Sequence, residues 1–534
     1  MDAYNAAADL VGRNLAAGRG GKTAFIDDRG RYSYADLAGR VNRFANMVRH
    51  RGLHREERIL LCLQDGIDFP TAFLGAILAG IVPVAVNTML PPEDYAFMLR
   101  DSRAQAVVVS APLAAKIEAA AATLAEPRPE ILVAGAEPGA PMGLATLLAQ
   151  MPDQAEAAPT HPDEPCFWLY SSGSTGRPKG TVHIHSSLVA TADLYGVPIL
   201  GIAESDLVFS AAKLFFAYGL GNSLTFPLAV GATAILLAER PTPAVIGHVL
   251  RTHRPTIFYG VPTLYNALLA SAELPPREEL ALRRCASAGE PLPAEIGRRW
   301  LTRTGVDILD GIGSTEMLHI FLSNRPDEVR YGTTGRPFPG YALKLLDEDG
   351  APADPGEIGD LLVSGPSSAL CYWNNRERSR ATFQGLWTRT GDKYRVNEDG
   401  YYVYCGRSDD MLKVSGQYVS PAEVEAALMT HDGVLEAAVV GAADESGLVR
   451  PKAFVVTSPG TAAGPRLADA LSEHVRSLLP PFKCPRWFAF IDELPKTATG
   501  KIQRFKLREE GAAEQSPSPR ARGEGGTRGE AVGG

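Results

Sequence analysis

The stretch Tyr170-Ser-Ser-Gly-Ser-Thr-Gly-Arg-Pro-Lys-Gly180 places three glycines, four Ser/Thr hydroxyls and two cations in eleven residues. Such a loop suits anionic oxygens: glycine lets the backbone approach closely, main-chain N–H groups and hydroxyls donate, and Arg177 and Lys179 supply charge. It follows the apolar run Cys166-Phe-Trp-Leu-Tyr170, so it reads as a phosphate loop leaving a buried strand. It is not a P-loop, because Arg177 and Pro178 separate Gly176 from Lys179, and it holds no Gly-x-Ser-x-Gly elbow. Composition alone would favour an ordinary Gly/Ser-rich surface loop. The rest of the chain decides between the two.

Around this loop, apolar β-rich runs alternate with longer amphipathic segments. Arg58-Ile-Leu-Leu-Cys-Leu63 precedes a helical run to Ala79, and Ala106-Val-Val-Val-Ser110 precedes an Ala-rich helix expected over 114–125. That alternation predicts α/β layers. Pro91-Pro-Glu-Asp94 opens a further helix, with proline in its first turn and acids at the positive dipole end. Residues 137–165 read as a connector. Gly356-Glu-Ile-Gly-Asp360 and Gly400-Tyr-Tyr-Val-Tyr-Cys405 lead into strands of a more β-rich region. A smaller unit is expected from Arg407, with a capping box at Ser420-Pro-Ala-Glu423, a helix over 420–431, strands at 435–441 and 452–456, and a helix over 467–479. Beyond Glu510 the chain is Gly, Ser, Pro, Arg and Glu with no large apolar residue, the composition of a disordered tail. The expected fold class is α/β: a large multi-subdomain N-terminal part (1–406) with α/β layers and a β-rich subdomain, a small mobile α+β C-terminal domain (407–509), and a tail (510–534).

Bulk properties narrow the function. A chain of 534 residues with 45% hydrophobic and 21% charged content needs more than one core and is not disordered. A net charge of -8 gives no electrostatic reason to invoke nucleic acid or anionic lipid. The six cysteines (62, 166, 285, 371, 405 and 484) form no C-x-x-C pair, so neither zinc nor a disulfide framework is indicated. The apolar stretches 71–86 and 224–238 are short for a membrane span and are broken by Pro and Gly. With no basic n-region ahead of an apolar run at the N-terminus, the expected compartment is cytoplasmic, the expected state a monomer or homodimer.

Four further signatures follow the loop in order: Gly313-Ser-Thr-Glu316, Thr390-Gly-Asp392, Gly406-Arg-Ser-Asp-Asp410 and Pro495-Lys-Thr-Ala-Thr-Gly-Lys501. Gly311-Ile-Gly313-Ser-Thr-Glu316 comes near a dinucleotide fingerprint, but Glu316 stands where the third glycine belongs. Taken singly, Glu316 reads as a helix-start acid, Asp392 as a turn residue and Arg407 as a surface cation. In this order the five signatures resemble the adenylate-forming acyl-CoA synthetase superfamily. Its chemistry explains the residue types, since a carboxylate becomes an electrophile only once ATP converts its oxygen into an AMP leaving group, and two anions must meet for that to happen.

The resemblance implies ATP, Mg²⁺ and the co-substrate CoA. It assigns Ser171, Ser172, Gly173, Ser174, Thr175, Gly176 and Lys179 to the phosphates, Thr315 to the α-phosphate and Glu316 to Mg²⁺. Asp310 falls to the nucleotide, Asp392 and Arg407 to the ribose, and Lys501 to the reacting carboxylate. Asp409 matches the hinge about which the small domain turns, after which Lys413 and Gly416 would line a pantetheine tunnel. The acyl site resembles the benzoate-CoA ligase branch. There Phe216, Ala217, Tyr218, Gly219, Gly313, His319 and Ile320 would form a flat slot, with Ala217 and Gly219 making room for a ring, Tyr218 and Ile320 packing its faces or edge, and His319 donating to the carboxylate or holding the wall. Benzoate, hydroxybenzoate and aminobenzoate remain open. The alternatives are a ligase for cyclohexanecarboxylate or short-chain acids, an adenylation enzyme that loads a carrier protein, and a non-catalytic AMP-binding homologue.

Overall fold

The computed structural model describes residues 3–171, 177–414, 417–444, 448–496 and 502–513. Ser172, Gly173, Ser174, Thr175, Gly176, Gly416 and Lys501 lie outside the described residues. The chain separates into two compact units, one reaching to Asp409 and the other beginning at Asp410. Arg407, the expected start of the smaller unit, still belongs to the strand Tyr402–Arg407, because its backbone pairs with Asp392 in a sheet of the first unit.

Three sheets build the first unit. A seven-stranded sheet runs in the order Cys371–Tyr372, Lys179–Ile184, Pro165–Ser171, Val82–Ala85, Arg58–Cys62, Ala106–Ser110, Glu130–Ala134. The strand Arg58–Cys62 shows why this sheet is buried on both faces: Ile59 and Leu61 join one core cluster while Leu60 and Cys62 join another with Val107, Val109 and Tyr95. The apolar stretch at 71–86 is a helix, Asp68–Ala79, buried at every residue, followed by the strand Val82–Ala85. The second such stretch resolves into a π turn, Gly221–Thr225, a short helix, Phe226–Val230, and the strand Thr233–Ile235.

A nine-stranded sheet runs Arg336–Pro337, Ile320–Ser323, Ile308–Gly313, Arg284–Ser287, Ile257–Gly260, Leu207–Ser210, Thr233–Ile235, Thr23–Asp27, Gly30–Ser33. Its middle is parallel and its ends are closed by antiparallel pairs. One continuous core, containing Phe167 of the first sheet and Tyr259 and Leu309 of the second, joins the two. The β-rich third sheet has five strands, in which Trp387–Val396 pairs with both Gly359–Ser364 and Tyr402–Arg407.

Local boundaries differ from the sequence reading in instructive ways. The Ala-rich helix is Ala114–Ala122, three residues shorter than expected, because the Thr123 hydroxyl turns back onto Ala120 O at 2.8 Å. The supposed connector 137–165 contains a helix, Leu144–Ala149, held by buried Leu144, Leu147 and Leu148.

In the second unit, the strands Val434–Ala443, Val449–Thr457 and Trp487–Phe490 form a sheet, with the helices Pro421–Leu428 and Pro465–Leu478 contributing to its core. Ser420 Oγ accepts from Glu423 N at 3.1 Å, but Glu423 pairs with Lys483 at 2.6 Å, so only the serine half of the expected capping box forms. The last described helix, Arg504–Ala513, runs past Glu510. Leu507 is fully buried with Val440 and Phe454, and Arg504 forks onto both oxygens of Glu425 at 2.9 and 2.8 Å. Among the described residues no helix is long and apolar enough to cross a membrane.

Candidate active site

The phosphate hairpin is anchored by the pairing of Ser171 with Lys179. Lys179 then reaches across to the Gly-Ser-Thr-Glu turn: its ammonium lies 3.7 Å from Glu316 Oε1, 3.3 Å from the Tyr372 hydroxyl, and 4.3 Å from the centre of the Tyr372 ring. Tyr372 donates to Glu316 Oε1 at 2.7 Å. Burial pushes the Glu316 carboxyl up, yet Lys179 and Tyr372 outweigh it and hold it below the usual carboxylate range. Burial also lowers Lys179, with Glu316 opposing. The described residues thus bring a cation and an anion together beside the stretch that the sequence reading assigns to phosphates.

The turn carrying Glu316 is clamped on three sides. His183 Nε2 donates to Thr315 O at 2.8 Å, Ala369 N to Glu316 O at 2.7 Å, and Ser367 Oγ to Met317 O at 2.8 Å. His183 stacks on Phe167 with ring centres 5.1 Å apart, and burial lowers its pKa to about 4, so it works as a neutral donor. The sequence motifs include neither His183 nor Tyr372. His183 lies just four residues beyond Lys179, but Tyr372 is separated from Glu316 by a long stretch of chain, and no local pattern joins them.

The strands Ile308–Gly313 and Ile320–Ser323 form a hairpin in which Gly313 pairs with Ile320. A Cβ on Gly313 would stand 2.5 Å from His319 O, so only glycine permits this approach. Asp310, on the first of these strands, is buried, and its Oδ1 has no hydrogen-bond partner among the described residues. Burial holds its carboxyl well above the usual range, against backbone N–H donors. Facing the hairpin, the short helix Ala217–Leu220 supplies Tyr218, whose ring centre is 5.4 Å from that of His319. Phe226 and Tyr195 close around the same imidazole at 4.5 and 5.5 Å.

His319 Nε2 lies 3.3 Å from Tyr218 O and 3.1 Å from Asn222 Oδ1. A backbone carbonyl only accepts, so Nε2 carries the proton and Nδ1 the lone pair. Burial drives the imidazole down to about 3. His319 is therefore neutral with its donor already engaged, which speaks against the carboxylate-donor role and for the wall role among the two drawn from sequence.

Gly219 departs from expectation. A Cβ there would lie 2.0 Å from Lys213 O and 2.5 Å from Ala212 O, so the glycine serves a close backbone crossing rather than leaving room for a ring. Gly219→Ala should lower stability by about 2 kcal/mol or more through this overlap, measured by denaturant melting; an unchanged midpoint would refute the crossing argument.

A third cluster joins Asp392 to Arg407, whose Nη1 donates to Asp392 Oδ1 and Thr390 O, both at 3.1 Å. Gly391, at φ 77°, takes the left-handed turn that brings them together. Burial lowers the Arg407 pKa, but Asp392 and Asp409 more than reverse it. Arg407 also contributes to holding Glu316 low, which ties this cluster electrostatically to the first. Phe216 precedes the Tyr218 helix and is half-buried. Lys413 lies in the second unit, on the strand Leu412–Val414.

Known families match the chain across these clusters. The family model described as AMP-binding enzyme covers residues 13–373, and that of the AMP-binding enzyme C-terminal domain covers residues 423–501. The chain belongs to the AMP-binding enzyme family. Among relatives of this AMP-binding enzyme, a benzoate–CoA ligase of Thauera aromatica is 62% identical over 95% of this chain and 96% of the relative. A 4-hydroxybenzoate–CoA/benzoate–CoA ligase of Rhodopseudomonas palustris is 51% identical over 95% of this chain and 94% of its own. The solved structure of a benzoate CoA ligase from Burkholderia xenovorans, 55% identical, superposes with a TM-score of 0.89 over 95% of this chain and all of that one. These likenesses agree with the α/β architecture and the small second unit.

Proposed function

We propose that this AMP-binding enzyme is an ATP-dependent aryl–CoA ligase acting on benzoate or a hydroxybenzoate. The observation that carries the reading is the Lys179–Glu316–Tyr372 cluster, whose turn runs directly into the ring-lined wall at His319, taken with the benzoate–CoA ligase relative. The two parts answer to the two halves of the substrate pair, a polyphosphate and an aromatic ring.

In the first half-reaction a carboxylate oxygen attacks the α-phosphorus of ATP and pyrophosphate leaves with the bonding electrons. Lys179 and the loop N–H groups hold the phosphates, Lys501 meets the carboxylate, and Asp392 with Arg407 fixes the ribose. In the second, the CoA sulfur attacks the acyl carbon, the C–O bond to AMP breaks, and the thiol proton passes to solvent. Asp409, after which the chain first passes into the second unit, and which lies 3.7 Å from Arg407 Nε, is proposed as the hinge between the two poses. After that turn Lys413 and Gly416 would serve the thiol's approach.

Glu316 fits a Mg²⁺ role. The described residues hold no cluster of three metal ligands, but Mg²⁺ is commonly held by one carboxylate together with substrate phosphates, and such a metal would neutralise charge on the leaving pyrophosphate. The protein is proposed to work in the cytoplasm, where ATP and CoA are supplied.

The test is AMP and pyrophosphate release with ATP, Mg²⁺ and CoA across benzoate, 4-hydroxybenzoate, 2-aminobenzoate, cyclohexanecarboxylate and butyrate. Release that is aromatic-selective and CoA-dependent is expected. Pyrophosphate without thioester would favour carrier loading, preference for the last two acids would favour the alicyclic or short-chain reading, and silence would leave a non-catalytic homologue.

A further inference from the structure

We propose that Asp65 is a positioning residue that fixes the acyl-site turn 213–219 and thereby the choice of acid, an inference that rests on the aryl–CoA ligase reading. Asp65 lies just beyond the strand Arg58–Cys62 of the seven-stranded sheet, with 4% of its surface exposed. Both its oxygens accept from Leu214 N, at 3.1 and 3.3 Å. Leu214 comes from the other sheet, shortly after the strand Leu207–Ser210. Asp65 is thus a polar link from one sheet to the turn that the other sheet presents to the acyl group.

The link acts on residues that matter for the ring. Phe216 N donates to Lys213 O at 3.0 Å, Gly219 crosses directly over Lys213 O, and Leu220 N donates to Phe216 O at 2.8 Å. The turn is therefore a stiff unit from the atom Asp65 holds to the helix bearing Tyr218. Lys213 secures the same turn from a second side, donating to the carbonyls of Leu237 and Glu239. From there the chain continues to Asn222, which accepts from His319.

A buried carboxylate is costly unless a donor or a charge compensates it. Burial raises Asp65 to about 6, with Lys213 and Leu214 N–H opposing, so the group is ionised at neutral pH. No phosphate, ribose or metal residue of the proposed mechanism touches it among its described contacts. What it does hold is the Leu214 N–H, at the start of the acyl turn.

The experiment compares Asp65→Leu, which fills the volume but removes the acceptor, with Asp65→Asn, which keeps one acceptor oxygen. ATP–pyrophosphate exchange supported by benzoate and by cyclohexanecarboxylate gives the ratio of the two kcat/KM values, which is independent of how much enzyme is folded. Asp65→Leu is expected to lower that ratio ~10-fold, through KM for benzoate and not for ATP, since displacements of an ångström in a positioning element have effects of this size or larger. Asp65→Asn should stay near the wild-type ratio. An unmoved ratio in Asp65→Leu would overturn the role, as would KM values for ATP and benzoate rising together. If Asp65→Leu does not fold, a ~3-fold or larger shift of the ratio in Asp65→Ser is expected, because its shorter side chain cannot reach Leu214 N, and no shift there would equally overturn it. Absence of any benzoate-dependent exchange in the wild-type protein would instead overturn the ligase reading itself.

Discussion

Replacing Lys501 with alanine is expected to reduce benzoate-dependent adenylate formation ~10³-fold, while thioester formation from supplied benzoyl-adenylate and CoA falls only a few-fold, as for a charged group that stabilises one transition state and not the other. The first half-reaction brings a carboxylate against a triphosphate, and the approaching anions need a cation at the oxygen that becomes the bridge. The second has a different geometry, with a sulfur nucleophile and an AMP leaving group already in place. On the proposed reading, a lysine carried by a mobile domain would serve one of these poses and be withdrawn in the other. ATP–pyrophosphate exchange reports the first step and direct thioester assay the second. Equal losses in both would remove Lys501 from its assigned role and weaken the hinge reading at Asp409 with it.

Glu316→Gln should be comparably damaging, by about 10²- to 10³-fold in adenylation, again the scale of one lost electrostatic element in a preorganised site. The substitution preserves shape and leaves the Tyr372 hydroxyl an acceptor, so packing barely changes. It removes the negative charge that Lys179 faces at 3.7 Å, leaving that largely buried ammonium without its compensating anion. If Glu316 also meets the metal, the variant should require a higher Mg²⁺ concentration for half-maximal exchange, with KM for the aryl acid little altered. Activity above about a tenth of wild type at saturating Mg²⁺ would exclude a first-rank role for the carboxylate.

The motifs assigned to the nucleotide stand out in the sequence because they are short and contiguous, and the residue types of Thr390-Gly-Asp392 already suggest a turn. The layered fold is legible for a similar reason, since runs such as Arg58–Cys62 carry almost no polar face and must be covered on both sides. What escapes depends on pairs distant in sequence. Tyr372 becomes part of the site only because its two-residue strand pairs with the strand of Lys179, and His183 only because the two sheets meet at Thr315. His319 stands out in the sequence with two roles open, and what separates them, the direction of its imidazole proton, is set by a carbonyl a hundred residues away. Gly219 misleads: its partner is the backbone of Lys213, a crossing that periodicity cannot reveal.

The hairpin proposed to hold the phosphates belongs to the seven-stranded sheet, while Tyr218 and His319, proposed to line the ring, sit beside the nine-stranded one, which also carries the Glu316 turn. Drift in the side chains that line the ring can therefore accumulate without rebuilding the apparatus that spends ATP, provided the few cross-links between sheets survive. Divergence toward new acids becomes, on this reading, a matter of changing ring-lining residues while leaving Lys179 and Glu316 in place, and directed libraries confined to 216–222 and 319–320 should yield altered substrate range at a far higher frequency than libraries spread over the phosphate hairpin.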